Sequence, residues 1–204
     1  MKIAPNGNKK QTEYEIECKI QAVEEKFRDI LDILDFDQTN HNIADTPRRI
    51  AKMYVTELFK GCYTEEPKIT VFPNEKKMSQ MVIVGPIDLK SLCSHHFKSF
   101  IGSAYIAYIP GESVIGVSKF ARIVDWFARR PQIQEELTEQ VADYIEEKLH
   151  PLGLGVFITA KHLCMTVRGV NQFDSHMDTC ALRGNFHQAA VKSEFISWVN
   201  QKRS

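Results

Sequence analysis

Two short clusters hold most of the chain's reactive side chains. One reads Leu92-Cys93-Ser94-His95-His96-Phe97 and the other His162-Leu163-Cys164-Met165. Thiolate sulfur and imidazole nitrogen are the usual ligands of zinc, and a catalytic zinc keeps three protein ligands and one open position for water. Cys93 and His96, three residues apart, suit a loop wrapped around one ion, and Cys164 is a distant third donor. His95 and His162 then remain free to move protons beside the metal. The residue types alone leave a second reading open, in which two inert buried cysteines lie near surface histidines.

Charged groups flank these clusters. Lys119 and Arg122 follow Gly116-Val117-Ser118 at an expected helix start, and Arg168 lies four residues after Cys164. A helix N-terminus attracts anions, basic side chains strengthen the attraction, and arginine suits forked contacts to phosphate. A solvated basic face is the plainer alternative. Gln132-Ile133-Gln134-Glu135-Glu136 opens the helix after Pro131. A carboxylate there can accept hydrogen bonds from amino donors on a base, or simply compensate the helix dipole.

The bulk of the chain is that of an ordinary globular protein. It has 204 residues, 43% hydrophobic and 25% charged, with Lys+Arg and Asp+Glu equal at 26 each. That length supports one well-buried core with a helical appendage. Balanced charge supplies no global field toward nucleic acid or membrane. No apolar run nears the roughly 20 residues of a membrane helix, and the opening residues from Met1 lack the apolar stretch of a secretory signal. Five cysteines without dense spacing argue against a disulfide framework, so a reducing cytoplasm is expected.

Apolar periodicity places the elements. Residues 1–12 read as a disordered tail, and 13–66 as a helical region. Ile16, Ile20, Val23, Phe27, Ile30, Leu31 and Leu34 keep a helical period up to Asp35, and a second helix is expected from a capping Asp45 with Pro47 in its first turn, ending near Gly61. Residues 67–204 form the remaining domain. Strands are expected at Ile69–Phe72, Met81–Val84, Phe100–Ile109 and Val114–Val117. Two helices follow, the first capped by Ser118 and punctuated by Pro131, the second carrying Leu137, Val141, Ile145 and Leu149 inward. Gly155–Ala160 and Leu163–Val167 read as a closing strand pair, and Phe195–Val199 as a final helix or strand. Strands and helices in separate runs indicate an α+β fold with an antiparallel sheet.

Taken together, the segments resemble the GTP cyclohydrolase I family over about residues 46–186. The matching stretches include Thr46-Pro47-Arg48-Arg49-Ile50-Ala51, Cys93-Ser94-His95-His96, Ile115-Gly116-Val117-Ser118-Lys119-Phe120-Ala121-Arg122 and Arg129-Arg130-Pro131-Gln132-Ile133-Gln134-Glu135-Glu136. His162-Leu163-Cys164-Met165, Arg168-Gly169 and Ala181-Leu182-Arg183-Gly184-Asn185-Phe186 complete the series.

The resemblance implies a tunnelling fold, an antiparallel sheet backed by two helices, with an N-terminal helical pair. It implies a homo-oligomer, typically a decamer of two pentameric rings with active sites between subunits, and no nucleic-acid or membrane partner. In family terms Cys93, His96 and Cys164 match zinc ligands, and His95 and His162 match acid–base histidines. Glu135 matches the carboxylate that anchors guanine, with Gln134 beside it, while Ser118, Lys119, Arg122 and Arg168 match the surroundings of the triphosphate. The implied reaction is zinc-dependent hydrolysis of GTP at C8, yielding formate and 7,8-dihydroneopterin triphosphate. Where the family carries Glu after the first cysteine, this chain has Ser94. It also departs at Ser99, His176 and Cys180. Those departures keep alternatives in view: ring opening alone, turnover of a modified purine nucleotide, or a non-catalytic zinc-binding oligomer.

Overall fold

The computed structural model describes residues 10–203. The expected tail falls mostly on residues 1–9, outside the described residues. Its last two residues are engaged: the Gln11 amide donates to the Tyr63 carbonyl at 3.2 Å, and Thr12 caps the first helix. The chain divides into two compact units, one ending at Glu66 and the other starting at Pro67.

In the first unit, α1 (Glu13–Ile33) starts in a reciprocal cap. The Glu15 amide donates to Thr12 Oγ1 at 3.2 Å and the Thr12 amide donates to Glu15 Oε2 at 2.7 Å, which satisfies two donors that a helix start leaves orphaned. Its stripe packs Ile20 against Ala51 and Val55. The second helix, α2 (Thr46–Lys52), has Pro47 in its first turn as expected, but Asp45 makes no capping bond and pairs with Arg49 at 3.3 Å instead. The chain then continues through a π-helical turn, Met53–Leu58, and a 3-10 turn, Lys60–Cys62, so Gly61 sits inside a turn rather than ending the helix. Arg48 joins α2 to α1 by reaching Glu17 at 2.7 Å and Glu24 at 3.2 Å.

The second unit is built on a five-stranded sheet. Its strands are β2 (Val82–Cys93), β3 (Ser99–Ile109), β5 (Pro131–Gln132), β6 (Gly153–His162) and β7 (Met177–Gly184), in the spatial order β5-β2-β3-β6-β7. All pairs are antiparallel except β5 with β2. A separate two-stranded ribbon pairs β1 (Val71–Pro73) with β4 (Ser113–Ile115). The helices are α3 (Ser118–Ala128), α4 (Gln134–Leu149), the single turn α5 (Leu163–Thr166) and α6 (Ala189–Arg203). The mixed α+β class expected from the order of elements is the class observed.

Alternation along the strands decides which face meets which helix. Phe100, Ala104, Ile106 and Tyr108 of β3 and Leu154, Val156, Ile158 and Ala160 of β6 share one core with Phe120, Ile123, Val124, Leu137, Val141 and Ile145 of α3 and α4. The intervening residues Tyr105, Ala107 and Phe157 point the other way, into a second cluster with Phe195 and Val199 of α6. Gly102 pairs with Ala160 in the β3–β6 ladder, and a Cβ there would collide with the Thr159 carbonyl. Only glycine lets the two strands close so tightly at that point.

Three sequence expectations need correcting. Leu163–Val167 is not a strand: the Val167 amide donates to the Leu163 carbonyl at 3.2 Å, closing the turn of α5, and β7 is the strand that pairs with β6. Val117 rather than Ser118 is the N-cap of α3, and no side chain caps that helix. The run at Met81–Val84 is the start of a 12-residue strand, because β2 passes Gly85-Pro86 through a register shift and continues.

Candidate active site

The site sits where β2, β3 and β6 end together. The β2–β3 connection is a tight turn in which the Cys93 amide donates to the Lys98 carbonyl at 2.9 Å and the Phe97 amide to the Cys93 carbonyl at 2.9 Å. Phe97 takes a left-handed conformation, φ 48°, to close it. Ser94 donates its amide to the Gln132 carbonyl of β5 at 3.2 Å. The register Phe100↔His162 sets the end of β6 beside this turn, and α5 then carries Cys164 back toward it.

One ligand atom from each of Cys93, His96 and Cys164 lies within 4.8 Å of the others. Bonds of about 2.0–2.3 Å in a tetrahedral zinc site put donor atoms roughly 3.3–3.8 Å apart, so small side-chain adjustments close the set. Two sulfurs and one imidazole suit that ion, and the burial is graded: Cys93 is buried, Cys164 half-buried and His96 exposed. The donor set therefore fits a zinc ion. Burial, and then Cys93, push the Cys164 thiol pKa up, while Arg168 pulls it down. A bound divalent cation reverses that preference by favouring thiolate.

His95 Nδ1 lies 3.7 Å from Cys93 Sγ, and its ring stands edge-on to His96 at 6.4 Å. His162 is enclosed. Its ring stacks on Phe100 with centroids 4.7 Å apart and planes 9° apart, and its Nε2 meets Gln134 Oε1 at 2.8 Å. Burial lowers the His162 pKa, and the nearby Glu135 carboxylate partly opposes the shift. Glu135 is exposed in the first turn of α4, whose N-cap Ile133 offers no side-chain acceptor. That helix is held to β7 by Arg183, which reaches Glu139 at 2.5 Å, Asp143 at 2.6 Å and Glu146 at 3.4 Å.

The fold thus gathers Cys93, His95, His96, His162 and Cys164, with Glu135 close enough to raise the pKa of His162 and Arg168 close enough to lower that of Cys164. Ser118, Lys119 and Arg122 lie along the start of α3, where Ser118 and Arg122 are exposed and Lys119 half-exposed. No hydrogen bond or ion pair among the described residues joins them to the cluster. Gln134, expected beside the substrate, is fully buried. Two contributors have no place in the sequence reading: Phe100 as the stacking partner and Arg183 as the tie on α4. A cleft lined by Asn74, Met78, Gly111, Lys148, His150 and Leu152 lies at the other end of β3 and shares none of the site residues.

Comparison with known proteins identifies the family. The GTP cyclohydrolase I family model matches residues 23–200. GTP cyclohydrolase 1 of Aeromonas salmonicida (strain A449) is 43% identical over 180 residues, covering 87% of this chain and 83% of the relative. The Yersinia enterocolitica protein of the same name is 41% identical over 192 residues, 93% of this chain and 87% of its own. That of Aeromonas hydrophila is 42% identical over 185 residues, covering 90% and 85%. Among solved structures, an archaeosine synthase QueF-Like in the apo form covers 53% of this chain with a TM-score of 0.41 and 17% identity, too distant to fix the topology. With the match running through both ligand clusters and nearly the whole chain, the chain belongs to the GTP cyclohydrolase I family.

Proposed function

We propose that this chain hydrolyses GTP at C8, releases that carbon as formate and forms 7,8-dihydroneopterin triphosphate, with zinc held by Cys93, His96 and Cys164. The observation that carries the reading is the convergence of those three donors beside the enclosed His162, in a member of this family. Zinc, when bound, supplies a Lewis acid and lowers the pKa of water toward ~7.

The chain's own groups supply the rest. Glu135 faces out of the first turn of α4 and accepts hydrogen bonds from the ring N–H and 2-amino group of guanine. Lys119, Arg122 and Arg168 bind the triphosphate and Ser118 adds a hydroxyl, so binding energy far from the reacting carbon holds C8 in place. His162 gives a proton to the purine, which makes C8 electrophilic, and His95 carries a second proton. Histidine suits both tasks because its ordinary pKa of about 6.5 lies near working pH. Water adds at C8 and the imidazole ring opens. A second water frees formate, and closure onto the rearranged ribose expels one water.

The tunnelling fold and a decamer with sites between subunits belong to the same reading. The helix-backed antiparallel sheet supports the fold, and α3 cations that no hydrogen bond or ion pair among the described residues ties to the cluster suit a site completed by a second copy. No helix among the described residues is long and apolar enough to cross a membrane, and thiolate ligands suit a reducing cytoplasm.

The test is purified protein with measured zinc content, incubated with GTP and assayed for formate and for the fluorescent oxidised pterin. Both products are expected, with loss of both in His162→Ala. Zinc-loaded protein that yields neither product overturns the proposal. Formate without pterin assigns ring opening alone.

A further inference from the structure

The hydrogen bonds around Gln134 determine which nitrogen of His162 carries the proton. The Gln134 side chain is fully buried, and its Nε2 lies 3.1 Å from the Ile158 carbonyl and 2.9 Å from the Met177 carbonyl. Backbone carbonyls only accept, so the amide nitrogen must face them. The amide oxygen then faces His162 Nε2 at 2.8 Å. An amide oxygen also only accepts, so Nε2 must be the protonated ring nitrogen.

Two threonines strengthen the assignment. Thr138 Oγ1 donates to the Gln134 backbone carbonyl at 2.8 Å and lies 2.6 Å from Thr179 Oγ1. With the Thr138 proton committed, Thr179 donates to Thr138. Its lone pairs accept at 3.1 Å from Gln134 Nε2, whose two hydrogens are shared among this oxygen and the two carbonyls. The ring of bonds thus runs in one direction and closes on Gln134. A flipped amide would put oxygen against two carbonyl oxygens in a buried site and leave those acceptors without a donor. Phe100 holds the ring by its face, so orientation and tautomer are fixed together.

We propose that Gln134 is a positioning residue that locks His162 as the Nε2–H tautomer and leaves Nδ1 as the ring's only site for accepting and delivering a proton. Gln134 therefore acts through His162 and does not touch the substrate. The proposal rests on the reading of His162 as the proton carrier. Its signal was available in the helical phase of α4, where Gln134 lies on the buried stripe with Thr138, Val141 and Ile145.

The test is 15N NMR of the zinc-loaded protein labelled at histidine, with the His162 signals assigned by their absence in His162→Asn. The expected wild-type spectrum has a protonated Nε2 and a bare Nδ1. Gln134→Met keeps the length but removes the acceptor, and should release the tautomer and lower kcat by roughly 10²- to 10⁴-fold, the range for misplaced or mis-tautomerised catalytic groups. KM for GTP should stay within about threefold, as uniform binding is untouched. A wild-type spectrum with protonated Nδ1 overturns the proposal without any variant, as does a Gln134→Met protein whose tautomer is unchanged or whose loss is all in KM. Full turnover by His162→Asn, with the wild-type ring still Nε2–H, sinks the catalytic role of His162 and leaves the lock standing.

Discussion

Replacing Phe100 with leucine separates the packing role of that ring from its role under His162. Phe100 is fully buried, and its ring lies 4.7 Å from the imidazole at an angle of 9°. Leucine keeps the site apolar but removes the flat surface. The vacated volume is roughly 25 Å³, which at ~24 cal/mol per Å³ costs about 0.6 kcal/mol. Loss of the ring–ring contact adds about 0.5–1.5 kcal/mol. Urea unfolding should therefore show a loss of about 1–2 kcal/mol with no change in the slope against denaturant. The Gln134 hydrogen bond still restrains one edge of the imidazole, so the ring is loosened but not freed. A displacement short of 1 Å should lower kcat on the order of tenfold, given ~10²-fold for a full ångström. Formate release at saturating GTP measures that rate. If stability falls by the stated amount while kcat is unchanged, the stack supports the core alone, and the reasoning that ties Phe100 to the chemistry is refuted.

Three further outcomes are expected. Cys164→Ala removes the donor that α5 carries to the β2–β3 turn. It should reduce zinc retention through dialysis, and it should abolish most of the ~2.7 kcal/mol by which an ion at 100 times its dissociation constant stabilises a folded chain, read as a shift in melting temperature between zinc-loaded and chelated protein. Glu135→Gln should raise KM for GTP by roughly 10-fold or more, from the loss of a charged acceptor worth about 1.5–3 kcal/mol, and a KM within error of wild type would remove Glu135 from the guanine site. In chelated protein, burial holds His162 neutral below its ordinary pKa, so the unfolded chain binds more protons and stability falls as pH drops through about 6.5 toward the lower folded value. His162→Gln should flatten that part of a melting-temperature series run between pH 7.5 and 5, and an unchanged slope would remove His162 as its source.

Much of the site was legible because its chemistry is rare. Two cysteines and three histidines in two short clusters point to an ion whatever the fold, and the structure sets Cys93, His96 and Cys164 together. The elements were less legible where local pattern and tertiary context disagree. Leu163, Met165 and Val167 alternate like a strand, yet the segment closes as one helical turn once β6 has ended. Gly85-Pro86 looks like a break, yet β2 absorbs it as an irregularity because β3 continues alongside. β7 carries Asp178, Thr179 and Cys180 and has little strand texture, since it is the edge of the sheet and much of it is exposed. The burial of Gln134 was hard to see for a different reason. A polar residue in an acidic helix start reads as a surface group, and only the phase of the whole helix shows that it points inward.

The arrangement of the donors also sets when an ion can be kept. Cys93 and His96 share a turn that forms with the β2–β3 hairpin, but Cys164 joins them only after β6 has paired with β3. On a growing chain the first two donors emerge well before the third, and a Cys/His pair alone is an incomplete cage. A three-donor set of this kind would therefore be complete only once β6 has paired with β3. A chain cut short before β6 would lack Cys164 and so keep only two of the three donors.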